Sequence, residues 1–359
     1  MGEALHVLIV GAGAVGCFYA SKLQQTHQGR SIHVSLVCRS NYSAIAANGV
    51  SLETHSFGNY HFTPHRVFPS IGAAGEAGIR WDFVVVTTKA LPDVTNDAHD
   101  LRPLVTRGVG GSCIVLIQNG VGIEEVHRAE YSENPIVSAV TVISAEQVRH
   151  GVIRQNRWTR ITMGTYTNGQ AKPNSLIRDA ALLDKLTTTT DAHIRSLVAW
   201  FGATGIKDAE YASELALQQT RWHKLCINAS MNPSSVLSGG TTNSRMSLDP
   251  ELRRHLHACM DEIFSTAPQI LGIPFDDKKH ASPERILKST ERNTAGKPSM
   301  LLDWQAGRPM ELEVILGNPI RIARRNGIEM PRLQTLYALL KMAQTRKQED
   351  AQQAGKAKL

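Results

Sequence analysis

One segment of the chain places three polar side chains at the spacing of an α-helix. Lys224, Asn228 and Asn232 recur at every fourth residue, so in a helix they form one stripe that drifts by about 40° per step. Pro233 disfavours helix at the preceding residue, which places Asn232 near a helix end. The neighbouring residues are apolar, and an ammonium and two amides in such surroundings need polar partners. A substrate with a carbonyl and a carboxylate would supply them, and a solvated helix face is the alternative.

A carboxylate that could assist such a site lies farther along the chain, at Glu311. The preceding Arg308-Pro309 pair is typical of a helix start, because proline fits the first helical turn. The sequence therefore predicts a helix that begins at this pair, with Glu311 near its positive dipole end. That position alone accounts for an acidic residue here, so a structural and a catalytic interpretation both stay open.

Polar residues also follow two strand-like runs. Lys89 follows Trp81–Thr88, and Asn119 follows Ile114–Ile117. In an open parallel sheet, ligands bind beyond the carboxyl ends of the strands. We therefore expect both residues to contact a ligand there: if the ligand is a nicotinamide dinucleotide, Lys89 would meet a phosphate or ribose, and Asn119 would form a hydrogen bond near the nicotinamide ring. The alternatives are a solvated lysine and an ordinary Asn-Gly turn.

The first residues have the pattern of a strand, a tight turn and a helix start. The apolar run Val7–Val10 is followed by Gly11, Ala12, Gly13, Ala14, Val15 and Gly16. In a dinucleotide-binding unit, Gly11 permits the sharp turn, Gly13 lets the backbone approach a pyrophosphate, and Gly16 lets the helix pack on the strand. The helix N-terminus then offers N–H groups to the phosphates. A glycine-rich turn of another α/β protein is the alternative.

The residue after the next strand predicts which dinucleotide binds. Ile32–Val37 alternates apolar and polar residues, and Arg39 stands where an Asp or Glu would bind a free 2′-hydroxyl. A guanidinium instead suits a 2′-phosphate, through charge-assisted bidentate hydrogen bonds. We therefore predict NADP(H) rather than NAD(H). The alternative is that Arg39 is a solvated loop cation.

The elements that must position these residues alternate between strands and helices in the first half of the chain. A helix is expected over Tyr42–Gly49, a strand over Ile136–Ile143, and a further strand or hairpin over Gly151–Thr165. This alternation predicts an α/β fold with an N-terminal Rossmann-type, doubly wound parallel sheet. From about residue 191 the pattern is helical almost throughout, which predicts an all-α C-terminal domain.

These patterns divide the chain into three parts. We expect an NADP-binding Rossmann domain over 1–190, a helical substrate and catalytic domain over 191–345, and a polar tail over 346–359 that frays. Residues 168–190 read as a linker or insertion, because a proline and four threonines interrupt the pattern. The final Ala357-Lys358-Leu359 is close to a Ser-Lys-Leu address, so peroxisomal import stands as an alternative to a cytoplasmic location.

Composition argues against several classes of function. The 359 residues have a formal net charge of +7 and no long basic block, which favours anionic small molecules over nucleic acid as ligands. The N-terminal apolar stretch is too short for a membrane span, so no membrane association is expected. The 5 cysteines form no CxxC pair and fit a reducing compartment, and the 14 histidines are scattered, so no metal site is predicted.

Together these motifs resemble those of the ketopantoate reductase (2-dehydropantoate 2-reductase) family. They match in chain order and span most of the sequence. The matching parts are Gly11–Gly16, Thr88-Lys89-Ala90, Gln118–Gly122, the spaced Lys224, Asn228, Asn232 and Pro233, Ser299–Glu311, Ile315-x-Gly317 and Ala323–Pro331.

The resemblance implies a Rossmann domain followed by a helical domain similar to that of 6-phosphogluconate dehydrogenase. It implies that Lys224 is the catalytic cation and proton donor, and that Glu311 assists it. The residues implied for substrate binding are Asn119, Asn228, Asn232 and Ser299. Those implied for NADP(H) are Lys89, Asn119 and the backbone at Ala145, beside the glycine loop and Arg39.

The expected activity is NADPH-dependent reduction of a 2-oxo acid to a 2-hydroxy acid, with 2-dehydropantoate going to (R)-pantoate in pantothenate biosynthesis. Residues 168–190 and Ser234–Asn243 depart from the family's pattern. A related reductase of another bulky 2-oxo acid is therefore one alternative, and a non-catalytic NADP-binding sensor is the other. The sequence does not give the oligomeric state, and a homodimer stays open.

Overall fold

The computed structural model describes residues 4–168, 177–292, 294 and 296–356, which divide into two compact units. The first unit consists of three segments: Met1–Lys89, Asn96–Gln118 and Glu124–Leu217. The second consists of three others: Ala90–Thr95, Asn119–Ile123 and Gln218–Leu359. Two short segments from the N-terminal half, one with Ala90 and one with Asn119, therefore belong to the second unit.

The strands of the described residues form one sheet in the first unit. They are β1 Leu5–Val10, β2 Gln25–His27, β3 Arg30–Val37, β4 Val50–Thr54, β5 Gly58–Phe62, β6 Val67–Phe68, β7 Phe83–Val86, β8 Cys113–Ile117, β9 Ile136–Arg149, β10 Val152–Thr165 and β11 Ala209–Ala212. Its centre is parallel, in the order β3-β1-β7-β8-β9. β10 pairs antiparallel with β9, and β4 and β5 continue the sheet beyond β10.

The central parallel strands are apolar on both faces. Every residue of β7 and of β8 is buried, which is typical of strands covered by helices on both sides. The predicted α/β fold with a Rossmann-type parallel centre is thereby confirmed. Of the strand or hairpin predicted over Gly151–Thr165, a single strand is found, β10, which pairs antiparallel with β9.

Helices flank this sheet. Those of the first unit are α1 Ala14–Leu23, α2 Tyr42–Asn48, α3 Ile71–Gly75, α4 Asp97–Asp100, α5 Glu125–Glu130 and α6 Ala180–Ala203. α6 packs against β10, β11 and α1, and its Ile194, Trp200 and Phe201 are part of the apolar core of the sheet. The first unit therefore extends to Leu217, beyond the boundary at residue 190 that the sequence suggested.

Two segments that the sequence predicted to be irregular are helical instead. Residues 180–190 of the expected linker begin α6, where the Asp179 carboxylate caps the helix by accepting a hydrogen bond from the Ala181 backbone nitrogen (2.9 Å). Residues 346–356 of the expected tail continue the last helix, because Lys, Gln, Glu and Ala all favour helix. Residues 169–176 and Ala357-Lys358-Leu359 lie outside the described residues.

In its described part, the second unit is helical, as predicted for the C-terminal domain. The range predicted to be helical began at residue 191, however, and β11 (Ala209–Ala212) within it is a strand of the first unit. The helices of the second unit are α7 Glu214–Asn228 (from Gln218 onward), α8 Met231–Leu237, α9 Asn243–Leu248, α10 Pro250–Leu271, α11 Pro283–Thr290, α12 Ser299–Gln305, the π-helix Glu313–Gly317, α13 Asn318–Arg325 and α14 Pro331–Lys356. Among the described helices of the chain, none is both long and apolar enough to cross a membrane.

The helix predicted to carry all three polar residues of the stripe is broken. α7 ends at Asn228, and Asn232 lies on α8. The Ser230 hydroxyl donates a hydrogen bond to a carbonyl of the preceding turn, and Pro233 lacks the N–H needed to continue α7 but fits the first turn of a new helix. Only Lys224 and Asn228 therefore share one helix.

The helix predicted to begin at Arg308-Pro309 also starts later. The Arg308 guanidinium donates a hydrogen bond to an acidic side chain of α12 (3.2 Å), and the π-helix begins at Glu313. Glu311 stands just before that helix, and its carbonyl oxygen accepts a hydrogen bond from the Ile315 backbone nitrogen (3.2 Å). Its carboxylate is consequently held at the start of the helical segment.

Candidate active site

The glycine loop connects β1 to α1 in the first unit. Gly11 has a φ of +110°, a conformation that favours glycine. A side chain at Gly16 would collide with the carbonyl oxygen of Gly11, so this glycine allows α1 to pack on the loop. Around Gly13, by contrast, no described atom beyond its chain neighbours lies within 4 Å of the place of a Cβ. The turn and the packing predicted for Gly11 and Gly16 are found, and a pyrophosphate at Gly13 stays a prediction.

α1 presents an N-terminus suited to an anion. Its N-cap is Gly13, which has no side chain to cap the helix, and its first turn contains no acidic residue. Ala14 and Val15 of that turn are half-buried, and Ala12 before them is buried. No acidic residue of the helix's own first turn therefore compensates its N–H groups and positive dipole end. This is the arrangement that binds phosphate at helix N-termini.

Arg39 is exposed and follows β3 closely. The buried side chain of Asn41 ties this segment to the glycine loop, because its amide nitrogen donates to the Ala12 carbonyl (2.6 Å). The same nitrogen donates to the side-chain oxygen of Gln147 on β9 (3.1 Å). Ala145 lies on that strand, two residues earlier, and is half-buried. Arg39 and the strand of Ala145 are thus both linked to the glycine loop through one amide.

The segment that ends in Lys89 lies beside the glycine loop. The Thr87 hydroxyl donates a hydrogen bond to the Gly11 carbonyl (2.6 Å), and a side chain at Gly11 would press against the Thr88 backbone. Lys89 itself is half-buried. This segment follows the carboxyl end of β7 and lies beside the glycine loop, and a contact between Lys89 and a cofactor stays a prediction.

Three of the residues singled out in the sequence form one hydrogen-bonded chain in the second unit. The Lys224 ammonium donates to the side-chain oxygen of Asn119 (Nζ–Oδ1 2.8 Å). The amide nitrogen of Asn119 donates to the Glu311 carboxylate (3.3 Å). The other carboxylate oxygen accepts from the backbone nitrogen of Ala90 (3.2 Å). Glu311 is 7% exposed, and Lys224 and Asn119 are half-buried. An amide thus joins an amine to a buried carboxylate.

The turn that carries Asn119 is fixed by the helices around it. Gly120 has a φ of +90°, and a side chain there would collide with Val314 of the π-helix. Its carbonyl oxygen accepts a hydrogen bond from the buried Arg221 guanidinium of α7 (3.0 Å). The next backbone nitrogen, of Val121, donates to the Val314 carbonyl (2.9 Å). These contacts hold the Asn119 amide at the position where it bridges amine and carboxylate.

The environment of Lys224 changes its acidity. Burial lowers the pKa of Lys224 from 10.5 to about 8, and the like charge of Arg221 acts in the same direction. The negative charge of Glu311 opposes both and raises the pKa. At neutral pH the amine is therefore protonated but a stronger acid than an ordinary lysine. Such a group suits proton transfer near neutral pH.

Two family models match the chain. The model described as "Ketopantoate reductase PanE/ApbA" matches residues 7–168, and "Ketopantoate reductase PanE/ApbA C terminal" matches residues 216–344. The chain belongs to the ketopantoate reductase family. It is therefore an oxidoreductase of the ketopantoate reductase type, with a nicotinamide dinucleotide as cofactor and a small-molecule substrate, and the family supports reduction of a 2-oxo acid.

Individual relatives cover nearly the whole chain. The solved structure of 2-dehydropantoate 2-reductase from Methylococcus capsulatus is 30% identical, with a TM-score of 0.76, and the match covers 96% of this chain and 98% of that one. An uncharacterized protein of Saccharomyces cerevisiae is 29% identical over 96% of this chain and 95% of its own length. D-mandelate dehydrogenase, solved with NADH and anilino(oxo)acetate, has a TM-score of 0.71 at 16% identity, which shows a shared fold.

The residues that the family resemblance implies for substrate lie at helix ends in the second unit. Asn228 is the last residue of α7 and is half-buried, and Asn232 is buried near the start of α8. Ser299 is exposed at the first position of α12, which packs against α8. Lys224, Asn119 and Glu311 are joined by the hydrogen bonds above, and the roles of these three further residues stay predictions.

Sequence reasoning missed three contributors to these sites. Arg221 precedes Lys224 by one helical turn, and this spacing could have identified it as the neighbour that lowers the pKa of the amine. The Ala90 backbone nitrogen and the Asn41 amide gave no comparable signal. Their roles depend on which segments the fold brings together, and side-chain type alone does not reveal that.

Proposed function

We propose that this protein is an NADPH-dependent reductase that converts 2-dehydropantoate to (R)-pantoate in pantothenate biosynthesis. The observation that carries the proposal is the hydrogen-bonded chain from Lys224 through Asn119 to Glu311. A protein that only bound the cofactor would have no use for a half-buried amine held at a lowered pKa. A reductase needs such an amine, because reduction of a ketone creates an alkoxide that must be protonated.

This chain supplies the proton for the reaction, from the Lys224 ammonium. Bound NADPH supplies the hydride that reduces the keto carbon. Lys224 stabilises the developing negative charge on the keto oxygen and protonates it. Its pKa of about 8 keeps it charged at neutral pH and makes it a better donor than an ordinary lysine. General acid catalysis of this kind contributes about 10²–10⁴-fold to the rate.

Asn119 and Glu311 position the amine and balance its charge. The oxygen of the Asn119 amide accepts a hydrogen bond from Lys224, and its nitrogen donates one to Glu311. The amide therefore fixes which group donates and which accepts in each of these two hydrogen bonds. The Asn119 amide bridges the ammonium and the carboxylate, and the negative charge of Glu311 stabilises the charged form of Lys224. We assign Lys224 as the catalytic acid and Glu311 as the residue that assists it.

The remaining contacts follow from the same proposal. Asn228, Asn232 and Ser299 hold the carboxylate and hydroxyl groups of the substrate, and Asn119 contacts substrate and cofactor. The glycine loop and the N-terminus of α1 bind the pyrophosphate. Arg39 binds the 2′-phosphate, which makes NADP(H) the preferred cofactor, and Lys89 and the Ala145 backbone complete the site.

The substrate is tested by following NADPH oxidation with 2-dehydropantoate and a panel of other 2-oxo acids. The proposal predicts that kcat/KM is highest for 2-dehydropantoate and that the product is the (R)-enantiomer of pantoate. A higher kcat/KM for another bulky 2-oxo acid would support the same type of reaction with that acid as the substrate. Tight NADPH binding without turnover of any 2-oxo acid contradicts the proposal and supports a sensor.

The proposal includes a cytoplasmic location, with peroxisomal import through Ala357-Lys358-Leu359 as the alternative. An N-terminal fluorescent fusion, expressed with and without these three residues, distinguishes the two. Diffuse signal from both fusions supports the cytoplasm. Punctate signal that is lost with the three residues supports peroxisomal import.

A further inference from the structure

Three histidines lie together on the sheet of the first unit, apart from the residues discussed so far. His6 is at the amino end of β1, and His33 is its paired neighbour on β3. His65 is fixed to β3 by a hydrogen bond from its backbone nitrogen to the Val34 carbonyl (2.7 Å). One ring nitrogen from each histidine lies within 4.8 Å of the other two. The fold thus collects residues that are far apart in the sequence.

The buried ring nitrogens of this histidine cluster (His6, His33 and His65) call for a ligand. The Nδ1 atoms of His6 and His33 are buried, and among the described residues neither has a hydrogen-bond partner. Buried polar atoms in folded proteins nearly always have a partner, so an unsatisfied pair at one place needs an explanation. A bound cation that accepts both lone pairs is one such explanation.

Two of the three rings are half-buried, and the third, His65, is exposed and could move to complete the coordination of an ion. His6 and His33 meet edge to face, with ring centroids 5.4 Å apart, and both are half-buried. His65 is exposed and stacks on His33, with centroids 4.2 Å apart and planes at 13°. Stacked rings direct their lone pairs side by side, so His65 must rotate out of the stack to share a ligand with His33. Its exposure leaves room for that rotation.

We propose that His6, His33 and His65 bind one divalent transition-metal ion of the zinc class. Imidazole nitrogen suits zinc, copper and nickel, whereas magnesium and calcium prefer oxygen ligands. Three neutral imidazoles and a water molecule give the four-coordinate sphere that zinc favours. The proposal concerns a site that the reductase chemistry does not use.

The position of the cluster assigns the ion a structural role. His6 lies near the amino end of β1 and Gly11 directly follows its carboxyl end, and five residues of extended chain span about 17 Å. An ion at His6 therefore does not touch a dinucleotide at the glycine loop. It cross-links β1, β3 and the segment that leads into β6, which pairs with β3. Zinc binding is thus expected to raise the thermal stability of the protein without changing its affinity for NADPH.

The test uses the full chain without a histidine tag, stripped of metal with a chelator and then titrated with Zn²⁺ by calorimetry. We expect one ion per chain and a higher Tm in its presence. His33→Gln is expected to weaken binding by about 100-fold or more, since even loss of a supporting contact costs 10- to 100-fold. The control His99→Gln removes an exposed histidine outside the cluster and is expected to bind zinc as the unchanged protein does.

His65→Gln gives a second variant that does not disturb the core, because this residue is exposed. It is also expected to weaken zinc binding, and Co²⁺ is expected to give the absorption spectrum of a tetrahedral site that disappears in both variants. The proposal is overturned if His33→Gln and His65→Gln bind Zn²⁺ with unchanged affinity and stoichiometry. NADPH binding by each variant verifies that it is folded, so the test does not depend on reductase activity.

Discussion

The Lys224 ammonium lies 2.8 Å from the side-chain oxygen of Asn119, so an amide and not a carboxylate is its hydrogen-bond partner on that side. A carboxylate in direct contact would stabilise the charged amine strongly and raise its pKa. Here Glu311 accepts a hydrogen bond from the Asn119 amide, and its negative charge raises the pKa of Lys224. Burial and the like charge of Arg221 lower that pKa, which stays near 8. The arrangement keeps the amine charged at neutral pH and able to release its proton.

The pH dependence of the reaction reports this balance. Lys224 must be protonated to donate, so kcat/KM is expected to fall as the pH rises above about 8. Glu311 raises the pKa of Lys224, and Glu311→Gln therefore lowers it and moves the fall in kcat/KM to lower pH. The profiles of both proteins are measured with saturating NADPH. A fall at the same pH in both would show that Glu311 does not act on the titrating group.

Two substitutions at Asn119 test whether this residue positions Lys224 or only supports the local structure. Asn119→Ala removes the bridge to Lys224 and to Glu311, and loss of hydrogen bonds to charged groups predicts a fall in kcat of about 10- to 100-fold. Asn119→Asp keeps the shape but adds a negative charge beside the amine, so the fall in kcat/KM is expected at higher pH than in the unchanged protein. Unchanged pH profiles would contradict the assignment.

Two glycines of the loop are predicted to respond differently to the same substitution. A methyl group at Gly16 collides with the Gly11 carbonyl, so Gly16→Ala is expected to destabilise the protein by about 1–3 kcal/mol. Gly13→Ala meets no described protein atom, so it is expected to leave Tm nearly unchanged and to weaken NADPH binding by crowding the pyrophosphate. Thermal unfolding and NADPH titration of the two variants test this pair. Equal effects of both on Tm would contradict the geometry.

Arg39 is predicted to select the cofactor. Removing a charged donor to the 2′-phosphate with Arg39→Ser is expected to weaken NADPH binding by about tenfold or more and to leave NADH binding nearly unchanged. Arg254→Ser is the matched control, because Arg254 is a highly exposed arginine on α10, which belongs to the second unit. Dissociation constants for both cofactors are measured by fluorescence. An equal loss of affinity for NADPH and NADH would show that Arg39 does not bind the 2′-phosphate.

Much of the fold could be predicted because local sequence determines it. A few neighbouring residues are enough to predict β7 and β8, which are apolar runs, and the turn after β1, which contains glycines. The break after Asn228 was missed because it depends on a hydrogen bond from Ser230 and on Pro233, which single-residue periodicity overlooks. The extent of α14 was missed because polar residues that favour helix also occur in frayed tails.

The candidate sites were only partly accessible from the sequence. The spacing identified Lys224 as unusual, but its link to Asn119 and Glu311 joins segments far apart in the chain and became an expectation through the family resemblance. The histidine cluster was not predicted, because His6 and His33 become neighbours through strand register, which the sequence does not state. Contacts that depend on long-range pairing are thus the part that required the structure.

The most direct test of the central claim is kcat for NADPH oxidation with 2-dehydropantoate in Lys224→Ala, beside Lys288→Ala as a control for an exposed lysine. Loss of the general acid predicts a fall in kcat of about 10²–10⁴-fold, with NADPH affinity nearly unchanged and partial rescue by added primary amines. The Lys288 variant is expected to keep the activity of the unchanged protein. A kcat for Lys224→Ala close to that of the unchanged protein would contradict the account.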